Sequence, residues 1–164
     1  MRILIELLAR LFAYLGGLAL VGITLMSTWS IVGRALFGAP LLGDTELVEV
    51  AMAFVVTAFM PICQWRGGNI IVDFFTARTS SGARDLLDRL GALLLAASLG
   101  LLAWRTWSGA LGKLETGETS MLLQWPEWLT YASMVPPLAL TALIGVYMAA
   151  TGQRGVATDG QVRQ

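Results

Sequence analysis

The 164-residue sequence contains no histidine and a single cysteine, Cys63. Without an imidazole the chain cannot ligate a haem iron through histidine, complete a Cys-His zinc site, or pair a thiol with a base for nucleophilic catalysis. One thiol closes no intrachain disulfide, and its expected role is that of a small buried apolar residue. Charge is scarce as well: 13% of residues are Asp, Glu, Lys or Arg against 56% hydrophobic, with a formal net charge of zero. Mean hydropathy is +0.70. That composition excludes a soluble globular domain, and no nucleic-acid partner is expected. The long apolar runs lack the period-2 alternation of lipid-facing barrel strands, so the expected class is an all-α membrane protein. The N-terminal apolar run is too long for the core of a cleaved signal, and Glu6 follows Arg2, so the first helix is expected to stay.

The most informative stretch runs from Gly43 to Asp73. Asp44 or Thr45 is suited to cap a helix start, with Glu46 beside the positive helix end. Leu47 to Cys63 follows with Glu49 as its only charge. Arg66-Gly67-Gly68-Asn69 supplies the stop. Between Thr45 and Gln64 the chain has 20 residues, about 30 Å of helix and the thickness of a bilayer core. Three more spans are expected, giving about 11–36, 45–64, 86–107 and 128–150. Arg2, Glu6 and Arg10 share one helical face, which predicts either an interfacial amphipathic helix or the first turns of span one. Ile70, Ile71, Phe74 and Phe75 predict a short mid-chain interfacial helix. Trp125-Pro126-Glu127-Trp128 opens the fourth helix, with proline where its missing N–H costs nothing, and Pro136-Pro137 predicts a kink. Residues 1–151 thus read as one four-helix transmembrane domain and 152–164 as a polar disordered tail.

With the N-terminus inside, eight arginines lie on the side of the termini, against Arg34, Arg105 and Lys113 on the other. That asymmetry predicts both termini in the cytoplasm. Within the spans, Glu49 is the charge that stands out, one turn beyond Glu46. It reads either as a cation or proton site or as a side chain that, with Glu46, pairs with Arg34 across the first hairpin or reaches water. The six tryptophans, Trp29, Trp65, Trp104, Trp107, Trp125 and Trp128, fall near span ends and are expected to anchor the bilayer interface. No nucleophile-base pair, carboxylate dyad or metal cluster is legible, and Arg66-Gly67-Gly68-Asn69 lacks the strand-loop-helix setting of a phosphate loop. No catalytic residue, metal or cofactor is expected. The spans have no central charge, which favours a helper packed against a larger membrane partner over a solitary conduit.

Several motifs in order resemble the small integral-membrane subunit of tripartite ATP-independent periplasmic (TRAP) transporters. They are Arg34 ending span one, Thr45-Glu46 opening span two, Arg66 to Asp73 after it, and Trp125-Pro126-Glu127-Trp128 with Tyr131 and Pro136 opening span four. Asn69 stands where that family commonly has histidine, and Pro61 where it has a small residue. The resemblance implies the small permease subunit of a Na⁺-coupled importer of organic acids in the bacterial inner membrane, served by a periplasmic substrate-binding protein. It implies a chain that braces the scaffold of a large polytopic subunit in membrane lipid. On it, Arg34, Glu46 and Glu49 hold the periplasmic hairpin and Arg66 and Asp73 the cytoplasmic turn, while Asp44, Glu115 and Glu118 are candidates for docking the binding protein. Two other readings stay open: a haem-free membrane anchor of a respiratory enzyme, and a small stand-alone multidrug exporter, though span one lacks the deep acidic residue the latter needs.

Overall fold

The computed structural model describes residues 2–38, 41–67 and 81–152. They form four helices, α1 (Arg2–Phe37), α2 (Asp44–Trp65), α3 (Ser81–Thr116) and α4 (Glu127–Thr151). All four are long and apolar enough to cross a membrane, and no strand occurs among the described residues. The expected mid-chain helix at Ile70–Phe75, with Asn69 and Asp73, lies outside the described residues, as does the tail beyond Gly152.

Helix limits follow the local signals. Arg66 donates its backbone N–H to the carbonyl of Ile62 at 3.0 Å, and Gly67 closes the turn with φ +68°. Pro126 stands just before α4 with Glu127 in its first turn. One open alternative resolves and one boundary differs from the sequence reading. The segment around Arg2, Glu6 and Arg10 continues without interruption into α1, because nothing between Arg2 and Phe37 breaks the helix. On it, Glu6 and Arg10 form an i,i+4 ion pair. At the other boundary, α3 runs on to Thr116, past the expected end of the third span near residue 107. Along α4, helix continues through Pro136 and Pro137, and Thr141 donates its hydroxyl to the Pro137 carbonyl at 2.7 Å.

α1 and α2 pack as one antiparallel hairpin, α3 and α4 as another, and α2 meets α4 between them. Lipid supplies no hydrophobic drive between helices, so close approach at small residues carries the packing. Gly16 faces Ala58 across α1 and α2. Across α3 and α4, a Cβ on Gly145 would lie 2.9 Å from the Ala96 Cβ and 3.2 Å from the Ala92 carbonyl oxygen, so only glycine fits this crossing. Two buried clusters result. Ile5, Ala9, Trp65 and Ile144 meet near the termini, and Leu99, Ala103 and Leu138 meet further along α3 and α4. Large apolar side chains such as Leu18, Leu25, Leu94 and Leu101 stand exposed, and so does Cys63, which was expected to be buried.

Candidate functional site at the hairpin end

Polar bonds concentrate at the end of the bundle carrying the α1–α2 and α3–α4 connections. Asp44, the first residue of α2, accepts from the Ser30 hydroxyl on α1 at 2.6 Å and from the Thr45 backbone N–H at 2.8 Å, with Arg34 3.8 Å away. Ser30 is almost fully buried. Thus the acidic partner of Arg34 is Asp44, and neither Glu46 nor Glu49. The reason is geometric: the connection folds back so that α2 begins opposite Ser30, one turn short of Arg34.

Glu46 bridges the two hairpins. Its carboxylate accepts from the Ser120 hydroxyl at 2.8 Å and from the backbone N–H groups of Leu122 and Leu123 at 2.9 and 3.0 Å. A carboxylate suits that turn because it accepts at both oxygens and satisfies amide donors that the turn leaves unpaired. Gly43, immediately before α2, makes room for the turn: it has φ +77°, and a Cβ there would lie 2.5 Å from Leu123 Cγ. Ser120 closes the loop on itself, donating its backbone N–H to the Trp125 carbonyl at 2.9 Å and accepting the Trp125 N–H at 3.2 Å on its hydroxyl.

Lys113 at the end of α3 forms the third clamp. Its ammonium pairs with Glu118 and with Glu127 at 2.8 Å, tying the end of α3 to the start of α4. Thr116 donates its hydroxyl to Glu118 at 3.0 Å. The Lys113 hydrogen bond, followed by that of Thr116, holds the Glu118 carboxyl below the usual carboxylate range.

The remaining candidates separate from this group. Glu49 is exposed and makes no ion pair or hydrogen bond among the described residues. Glu115 is likewise exposed and unpaired there. Arg66 lies at the opposite end, and its expected companion Asp73 is outside the described residues. Trp29, Trp104, Trp107 and Trp125 are exposed and Trp128 half-buried. Trp65 is a correction: it is buried at 5% exposure and stacked on Tyr147 with ring centroids 6.2 Å apart, because α4 covers this face of α2. Its indole N–H has no hydrogen-bond partner among the described residues.

Ser30, Gly43, Lys113 and Ser120 were not singled out as site residues by sequence reasoning. A serine one turn before Arg34 was a usable signal for Ser30. Ser120 lies 74 positions from Glu46, and nothing local announces that pairing. Among the described residues, no three of His, Cys, Asp and Glu converge as a metal site.

These features define a multi-pass helical membrane protein in which six ionised groups, Arg34, Asp44, Glu46, Lys113, Glu118 and Glu127, join helix ends at the hairpin end. The model of the family described as "Tripartite ATP-independent periplasmic transporters, DctQ component" matches residues 23–155. The chain belongs to this family and is a small component of a TRAP transporter. The family is a transporter component and not an enzyme family, which displaces the respiratory-anchor and stand-alone exporter readings. Comparison with curated proteins and with solved structures returned no match.

Proposed function

We propose that this chain is the small permease subunit of a Na⁺-coupled, binding-protein-dependent importer of organic acids in the bacterial inner membrane. It braces the scaffold of the large polytopic subunit, with both of its own termini cytoplasmic. The observation that carries this reading is the family match over residues 23–155. The use of polar side chains supports it: Arg34 and Asp44, Glu46 and the 120–123 turn, and Lys113 with Glu118 and Glu127 each fix one helix end to another. A rigid unit of that kind suits a stationary brace, whereas a solitary carrier needs charged groups converging on a central path. On this reading the three clamps face the periplasm. Asp44 and Glu118 are engaged within the chain, so of the three acidic docking candidates Glu115 is the one left to meet the binding protein.

The test is purification of the tagged chain, expressed from its native gene neighbourhood, in mild detergent. Recovery of a polytopic protein about three times its size, with Na⁺-dependent uptake lost on deletion of this chain, is the expected result. A chain that arrives alone, with uptake indifferent to its deletion, refutes the assignment. Charge reversal at Glu115 is expected to lower binding-protein-dependent uptake without reducing recovery of the large subunit, and unchanged uptake removes the docking role.

A further inference from the structure

Among the described residues, Arg105 is the arginine carried furthest from the ends of a spanning helix. It lies eight residues, about 12 Å of helix, from Lys113, whose 2.8 Å contact with Glu127 marks the charged rim at the hairpin end. It lies sixteen residues, about 24 Å, from Arg89, which covers Gly152 at the C-terminus of α4 and marks the opposite rim. The two rims are thus about 36 Å apart, and a hydrocarbon core of about 30 Å fits between them with little to spare. Arg105 is therefore placed roughly 6–12 Å inside the core. It is exposed on the outer side of α3 and makes no ion pair or hydrogen bond among the described residues. An unpaired guanidinium at such depth is costly, and spanning helices that carry one turn it toward a partner group or a cavity.

The surface around it differs from a lipid-facing one. Gly91, Ser98, Arg105 and Gly112 recur at seven-residue spacing, and all four are exposed. A Cβ on Gly91 or Gly112 would meet nothing within 4 Å. Small residues at that spacing let a second helix approach closely with a left-handed crossing, and the leucines beside them, Leu94 and Leu101, are exposed at 67% and 63%. α3 is also the outer helix of its hairpin, packing principally on α4.

We propose that this face of α3 docks a transmembrane helix of the large subunit, with Arg105 meeting an acidic side chain of that helix inside the membrane. The assignment rests on the accessory-subunit reading above. Charge complementarity selects the occupant: lipid tails offer a guanidinium nothing, whereas a carboxylate on a facing helix offers a bidentate partner shielded from water.

The test uses the complete complex with Cys63 replaced by serine. A benzophenone probe on a Leu101→Cys variant, with Arg105 intact, is expected to cross-link to the large subunit, while the same probe on Leu18→Cys of α1 serves as comparison. Arg105→Leu is expected to lower recovery of the large subunit at least about tenfold, the scale of losing one partner of a desolvated charge pair. If the Leu101 probe labels lipid alone while the large subunit still co-purifies, the α3 face meets lipid, Arg105 snorkels, and the proposal is overturned with the accessory reading intact. If no larger membrane protein accompanies the wild-type chain, both readings fall together.

Discussion

Replacing Gly43 with alanine tests whether the 120–123 turn is seated on the start of α2. Gly43 has φ +77°, and its added Cβ would lie 2.5 Å from Leu123 Cγ and 2.9 Å from both Leu123 methyls. The left-handed backbone costs a side-chain-bearing residue about 1–2 kcal/mol. The turn cannot retreat freely, because Glu46 holds the N–H groups of Leu122 and Leu123. Leu123 must therefore leave its rotamer or lose its contact, at about 1–3 kcal/mol. The single variant is expected to lose about 2–5 kcal/mol, the sum of those two effects. Leu123→Ala removes all three clashing atoms, so in its background Gly43→Ala should cost only the backbone part, about 1–2 kcal/mol. The double-mutant cycle then shows a coupling of about 1–3 kcal/mol. Unfolding of the detergent-solubilised protein by added SDS, followed by tryptophan fluorescence, provides the measurement. Strictly additive effects, or a Gly43→Ala variant within about 0.5 kcal/mol of wild type, would refute the seating of this turn.

Other substitutions probe the packing and the rims. Gly145→Ala pushes a methyl into the Ala92–Ala96 backbone of α3 and is expected to destabilise by about 1–3 kcal/mol in the same assay, with the α3–α4 hairpin opening first. Trp65→Ala empties the cluster at the termini end and should cost about 3–5 kcal/mol, whereas Trp65→Phe removes an indole N–H that has no partner among the described residues and should cost about 1–2 kcal/mol. Equal losses for the two would mean that this indole N–H is bonded. The Glu118 carboxyl is held below its ordinary range in the folded protein, so its contribution is complete above the unfolded carboxylate pKa and is lost as pH falls through the lowered value. Opening of the 117–126 loop, followed by protease cleavage, should therefore be flat from neutral pH down to the ordinary carboxylate range and rise only below it. Glu118→Gln should shrink that acid-dependent step, with Glu46, which holds the same loop at Ser120, Leu122 and Leu123, carrying the remainder, and a wild-type rise beginning near neutrality would contradict the Lys113 clamp.

Much of the architecture was legible in the chain because lipid imposes a simple rule: each spanning segment must satisfy its own backbone and present apolar side chains. Four helices, the stop at Arg66-Gly67, the start at Trp125-Pro126-Glu127 and the clustering of polar residues at the hairpin end all follow from that rule. The pairings were less legible. Arg34 had two expected partners, Glu46 and Glu49, and the start of α2 opposite Ser30 put Asp44 beside it instead. Trp65 looked like its five counterparts, since a tryptophan near a span end has the same local signature whether it meets lipid or a neighbouring helix.

The sequence by itself determined that this is a four-span helical membrane protein without histidine-based chemistry, and its motifs in order placed it among the small TRAP subunits. Those properties depend on composition, run length and short-range signals, which a chain carries before it folds. Only the tertiary structure decided that Glu46 fastens the α3–α4 turn, that Gly43 yields space to Leu123, and that Trp65 lies inside while Arg105 stands exposed on an outer face. Each depends on which surfaces two helices bring together across more than 70 residues of chain or leave uncovered, and no local pattern encodes that choice.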